Sequence, residues 1–198
     1  MPEVTWTHAH LEFFLSRVPP SISNALDVGC GRGIIGSLLK IYREPNRIVG
    51  LDMFEPYLDF CKKLGVYTEV IKHDLSIAPL PFRDNEFDLS VAFEVIEHLR
   101  KEDGIGLLRE LERISRTVIV STPNRYFDQS TYEGNPYQKH LSRWTTRDFK
   151  KRGYSVFGVG GLMVFGHEIK NVSYALGRFT IPLPYISGTI MGVYSKQR

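Results

Sequence analysis

The chain has 198 residues, 42% hydrophobic and 24% charged, with 12 Phe, 10 Tyr and 2 Trp, a make-up that fits one globular domain and excludes a disordered or fibrous protein. Its 25 basic and 22 acidic residues give a formal net charge of +3, a balance far milder than that of dedicated nucleic-acid binders, while anionic substrates stay open. The two cysteines, Cys30 and Cys61, exclude a disulfide framework and a cysteine metal site and suit a reducing, cytoplasmic compartment.

The first ten residues lack the basic-then-apolar pattern of a secretory signal, and no apolar run reaches the roughly 20 residues of a bilayer span. A leading helix is expected within 1–20, over 7–17, where Leu11, Phe14, Leu15 and Val18 recur at helical spacing until Pro19 and Pro20 stop it. Strand and helix then alternate. Strands are predicted at 24–29, 47–52, 67–72, 87–93 and 117–122, and helices at 34–42, 55–64 and 103–115.

That order implies right-handed βαβ crossovers and an α/β fold. In the last third, Thr145 and Asp148 make a capping box for a helix ending at Gly153, followed by strands at 154–159 and 189–195. The stretch from Gly161 to Ser187 carries no clear pattern. A single domain over 1–198 is expected, with a ligand-binding core at 24–124 and an acceptor-side loop, helix and last strands at 125–198.

The strongest chemical signal is Leu26-Asp27-Val28-Gly29-Cys30-Gly31-Arg32-Gly33 at the end of the first strand. Glycines there allow backbone conformations and a close ligand approach that a Cβ would block. A dinucleotide-binding turn would need glycine at position 34, where the chain has Ile34, so a nicotinamide-dependent oxidoreductase is disfavoured. Asp52 closes the second strand, the place for a carboxylate that accepts two ribose hydroxyls.

With His73-Asp74-Leu75, the stretch LPFRDNEFDLSVAFEVIEHL and Ser121-Thr122-Pro123-Asn124, this ordered set over about 24–124 resembles the class I S-adenosylmethionine-dependent methyltransferases, in the branch of type 11 and ubiquinone-type enzymes. The resemblance implies a Rossmann-like, doubly wound, mainly parallel seven-stranded sheet with helices on both faces and an antiparallel last strand. It further implies S-adenosyl-L-methionine as cofactor, with S-adenosyl-L-homocysteine as product.

By that resemblance Gly29, Gly31 and Gly33 line the methionine moiety with Asp27 nearby, Asp52 holds the ribose, and Cys30 and Leu75 are further cofactor-binding residues. Met53 packs on the adenine, Asp74 reaches its amino group, and Glu94 lies at the methionine end with His98 following. Methyl transfer is an in-line displacement that needs orientation more than acid or base. A base helps when the acceptor is a hydroxyl.

The acceptor is expected between the fifth strand and the capped helix, with Asn124, Tyr126, Tyr137, Arg143 and Trp144 as substrate-binding candidates. His140 is the candidate general base, a structural role in tying down the loop being the alternative. A small or medium-sized acceptor methylated on oxygen or nitrogen is expected. Base-amine methylation of DNA is disfavoured because Ser121-Thr122-Pro123-Asn124 lacks the required pattern. No metal site is expected, since the six histidines show no i, i+4 pairing with carboxylates. A methyltransferase-like module without turnover is the second functional reading.

Overall fold

A computed structural model describes residues 8–124, 129, 134–159, 163–164, 167–168 and 180–196. Helix α1 (His8–Arg17) is followed by β1 (Asn24–Val28), α2 (Ile34–Arg43), β2 (Arg47–Asp52), α3 (Glu55–Leu64), β3 (Glu69–Lys72), β4 (Phe87–Phe93), α4 (Lys101–Ile114) and β5 (Ser115–Pro123). Beyond the next loop come α5 (Thr146–Lys150), β6 (Ser155–Gly158), the two-residue strands β7 (Met163–Val164) and β8 (His167–Glu168), and β9 (Thr189–Ser195). The seven-stranded sheet runs β3-β2-β1-β4-β5-β9-β6, and β7 pairs with β8 apart from it.

Pairs among β1 to β5 are parallel, whereas β9 lies antiparallel to both β5 and β6. This is the doubly wound, mainly parallel sheet with an antiparallel last strand that the sequence implied. Strands β1, β4 and β5 are buried along nearly their whole length, which is why they read as unbroken apolar runs.

Successive side chains feed opposite layers. Leu26 and Val28 pack with Leu107, Leu108 and Leu111 of α4 and with Trp144 and Phe149 on one face. Ala25, Leu89 and Val91 pack with Phe14 of α1 and with Ile35 and Leu39 of α2 on the other. Helix α1 is fastened by Arg43, whose guanidinium donates to Leu15 O at 2.6 Å and Pro19 O at 3.1 Å, covering carbonyls that the helix end leaves open.

The predicted capping box is present: Asp148 N donates to Thr145 Oγ1 at 3.4 Å and Thr145 N to Asp148 Oδ2 at 2.8 Å. At the far end of α5, Arg152 grips both Glu112 oxygens of α4, at 2.9 and 2.6 Å. Arg152 is thus a structural clamp between the two helices. No helix among the described residues is long and apolar enough to cross a membrane.

The sheet order turns in opposite directions on the two sides of β1: β2 and β3 go one way, β4 and β5 the other. A crevice at the carboxyl ends of the strands opens at such a switch point.

Candidate active site

Beyond β1 the backbone enters the left-handed region at Gly29 (φ +65°), Gly31 (+51°) and Gly33 (+80°). Space reinforces the constraint, because a Cβ on Gly29 would stand 2.5 Å from Val95 Cγ2. The turn is held from β2: Cys30 N donates to Leu51 O at 2.9 Å and Gly31 N to Asp52 Oδ2 at 2.9 Å. Asp52 Oδ1 accepts from Phe54 N at 2.9 Å, so one carboxylate braces the glycine turn and the entry to α3.

Asp27 sits beneath the turn, only 2% exposed, and its Oδ2 accepts from Tyr67 Oη at 2.6 Å and Gly36 N at 3.0 Å. Burial lifts its pKa from 3.8 to about 7; the Tyr67 and Gly36 bonds oppose the shift, and nearby Asp52 adds to it. With the native pKa above the unfolded one, this carboxyl contributes stability that is fully present below about pH 4 and lost as the pH rises through about 7. Asp27→Asn should therefore flatten the fall in urea-unfolding stability across that window, by up to about 1.4 kcal/mol per pH unit.

A cleft of about 630 Å³, part of it open to solvent, lies over these strand ends. Gly29 and Gly31 line it after β1, Asp52, Met53 and Tyr57 after β2, Asp74 and Leu75 after β3, and Glu94, Val95, His98 and Leu99 after β4. Asn135, Tyr137 and Gln138 close it from the opposite side. Asp74 Oδ1 accepts from Ser76 N at 2.9 Å and Ser76 Oγ at 2.7 Å, and these bonds hold its pKa below the usual carboxylate value. Burial instead raises that of Asp52.

Seven of the residues predicted for the cofactor share this wall: Gly29, Gly31, Asp52, Met53, Asp74, Leu75 and Glu94. Asp27, Cys30 and Gly33 stand behind it. Cys30 packs with Leu58 and Cys61, and a Cβ on Gly33 would stand 2.8 Å from Leu64 Cδ2.

Of the predicted acceptor residues, Tyr137 lines the cleft and Tyr126 lies outside the described residues. The others are placed elsewhere. Asn124 Nδ2 donates to Pro184 O and Ser187 O, both at 2.9 Å, which fastens the segment before β9 to the end of β5. Trp144 is 1% exposed in the core, with Nε1 donating to Ile96 O at 3.1 Å and Ser142 Oγ at 2.9 Å. Arg143 is exposed, and its carbonyl accepts from Lys101 Nζ at 2.7 Å.

Glu94 is a non-glycine residue at φ +52°, a conformation that costs about 1–3 kcal/mol and persists where neighbours impose it. Those neighbours are in β5: Glu94 N donates to Ser121 O at 3.1 Å, and Ser121 Oγ donates to Glu94 Oε1 at 2.8 Å. Withdrawal from water raises the Glu94 pKa to about 7. The kink turns the chain into a single 3-10 turn, Ile96–His98, rather than straight into a helix.

That turn carries a second set of groups. Glu97 is 3% exposed, and neither of its carboxylate oxygens has a hydrogen-bond partner. Burial and the neighbouring Glu94 raise its pKa well above the usual value; the Thr122 hydroxyl, nearby but itself without a hydrogen-bond partner, lowers it in part. His98 and His140 face each other with ring centroids 5.0 Å apart. His98 Nδ1 bonds to Lys139 O at 3.2 Å, and burial depresses its pKa to about 4, so the ring is neutral at physiological pH. Residues Glu97, His98 and His140 bring one donor atom each to within 4.8 Å of one another.

Local spacing could not show that set, because His140 comes from a separate loop. The loop is docked onto the 3-10 turn by Leu141 N and Ser142 N to Glu97 O, at 2.8 and 3.1 Å, and by Ser142 Oγ to Ile96 O at 3.2 Å. Sequence reasoning also passed over Tyr57, Val95, Leu99, Asn135 and Gln138 in the cleft wall. Tyr57 had a usable signal, an aromatic residue in the first turn of the helix that follows Asp52.

Residues 26–117 match the family described as a methyltransferase domain. A Mycobacterium tuberculosis protein named as a probable S-adenosylmethionine-dependent methyltransferase is 30% identical over 124 residues, covering 61% of this chain and 43% of that one. The chain spans 18%, 35% and 43% of the length of the first curated relatives it matches.

In fold it is similar to the methyltransferase domain of bacterial CtHen1, at a TM-score of 0.61 and 24% identity over 95% of this chain and 98% of that one. It is also similar to the small RNA methyltransferase HEN1, at 0.60 and 21% over 96% of this chain and 25% of that one. Over residues 26–117 the chain is thus similar to S-adenosylmethionine-dependent methyltransferases, and its sheet has the Rossmann-like order.

Proposed function

We propose that this chain transfers the methyl group of S-adenosyl-L-methionine to an oxygen or nitrogen of a small or medium-sized acceptor. The observation that carries this reading is the single cleft in which Gly29, Gly31, Asp52, Asp74 and Glu94 converge from four strand ends. The residues fit the cofactor's chemistry. The glycine turn lets backbone approach the ligand, and Asp52 spends one lone pair on each of two backbone amides and keeps others for ribose hydroxyls. Met53, Leu75 and Leu99 offer apolar surface to the adenine, with Asp74 as acceptor for its amino group.

When bound, the cofactor supplies a methyl carbon on a positively charged sulfur. Glu94, held by Ser121, sets a carboxyl at that end of the cleft. Tyr137, Asn135 and Gln138 form the mouth through which an acceptor enters, and Asn135 Oδ1 fixes the mouth by accepting from Tyr137 N at 2.9 Å. Orientation of the acceptor against the cofactor supplies much of the acceleration.

For a hydroxyl acceptor the base nearest the cleft is His98, which lines it and is neutral. The bond from Nδ1 to Lys139 O leaves Nε2 as the nitrogen with a lone pair. His140, 4% exposed, stands behind His98 and acts through it. Methyl-labelled cofactor incubated with hydroxyl and amine acceptors tests the proposal. Transfer that disappears in Asp52→Ala is expected. A protein that binds S-adenosylhomocysteine yet labels no acceptor would support the module without turnover.

A further inference from the structure

We infer that Glu97, His98 and His140 bind one divalent transition-metal cation at the inner wall of the cleft, where it receives a hydroxyl oxygen of the acceptor. The part concerning the acceptor rests on the methyltransferase reading; the cation site does not. The three donor atoms lie within 4.8 Å of one another, and ligands sharing one ion at bonds of about 2.1 Å stand up to about 4.2 Å apart. Side-chain adjustment of a few tenths of an ångström closes that gap.

The unpartnered carboxylate argues in the same direction. Glu97 is 3% exposed with both oxygens lacking a hydrogen-bond partner, and the charge that bears on it most is another carboxylate, Glu94. A buried carboxylate is costly unless it is paired or coordinates a metal. No Lys or Arg forms an ion pair with it among the described residues. Two imidazoles and a carboxylate are a sufficient donor set for a cation, and a neutral imidazole such as that of His98 is the form that ligates.

The surrounding chain positions these groups. The 3-10 turn presents Glu97 and His98 side by side, and the bonds from Leu141 N and Ser142 N to Glu97 O press His140 onto them. Trp144 anchors the same loop through Ile96 O. His98 and Glu94 line the cleft, so coordination positions not used by protein face the acceptor. A cation there favours oxygen over nitrogen acceptors, because it lowers the pKa of a bound hydroxyl; with the free nitrogen of His98 then a ligand and no longer a base, the proton leaves to water.

A mixed nitrogen and oxygen donor set suits Mn²⁺, Co²⁺ or Zn²⁺ better than Ca²⁺. The test is titration of the full chain with Mn²⁺ followed by electron paramagnetic resonance, repeated with Co²⁺ followed by its visible absorption, with and without S-adenosylhomocysteine. Stoichiometric binding that weakens about tenfold or more in both Glu97→Gln and His140→Asn is expected. No binding of either ion, or binding that both variants leave unchanged, would overturn the site. Binding of S-adenosylhomocysteine is measured on each protein in parallel. It reports folding of the variants and keeps failure of the cation site distinct from failure of the cofactor reading.

Discussion

Replacing Asp52 by alanine is expected to weaken S-adenosylhomocysteine binding by about 100-fold or more, since two charge-assisted hydrogen bonds are worth roughly 1.5–3 kcal/mol each. The same carboxylate holds Gly31 N and Phe54 N, so its removal also loosens the glycine turn that the ligand must meet. Both effects point the same way. Asp52→Asn keeps the shape and one acceptor oxygen and should fall between wild type and alanine. Calorimetry reads the affinities, and thermal unfolding of each variant separates lost contacts from lost fold. Unchanged affinity in Asp52→Ala would remove Asp52 from the site.

Trp144→Ala is expected to lower unfolding stability by about 3–5 kcal/mol, the range for deleting a large buried aromatic side chain. The indole is 1% exposed, Lys101 Nζ lies 3.6 Å from its ring centroid, and a Cβ on Gly104 would stand 2.5 Å from its Cζ2. Nothing nearby can collapse into that volume at no cost. Trp144→Phe keeps most of the packing and loses the Nε1 bonds to Ile96 O and Ser142 Oγ, for about 1–2 kcal/mol. Urea unfolding measures both. A Trp144→Ala protein of native stability whose KM for the acceptor rises would instead return Trp144 to the acceptor wall.

The contrast between these two residues shows what the sequence carries. Asp52 was legible because its place follows from the chain itself: a buried strand ends, a helix begins, and a carboxylate stands between them at the sheet's open end. Asp74 and Glu94 entered through the resemblance to the class I methyltransferases and not through their own surroundings in the chain. The strands 47–52, 87–93 and 189–195 and the helix 55–64 were readable to the residue, since burial on both faces or one apolar stripe marks their limits.

Trp144, Asn124 and His140 were not legible, because each lies in or beside a loop whose environment is set by distant backbone. Trp144 and Ile96 are 48 residues apart, and Asn124 meets Ser187 across 63. An aromatic loop residue looks the same in sequence whether it walls a pocket or fills a core. Leu64 and Tyr42 show the converse: each continues the apolar spacing of its helix, yet they are 42% and 56% exposed. The grouping of Glu97 with His98 and His140 required the docked loop, which spacing along the chain does not encode.

The most direct measurement is a calorimetric titration of the wild-type chain with S-adenosylhomocysteine. The cleft built on Gly29, Gly31, Asp52, Asp74 and Glu94 predicts saturable binding at one site per chain, with a Kd of about 1–100 µM. A folded protein that gives no binding heat at several temperatures, up to about 1 mM ligand, would contradict the account.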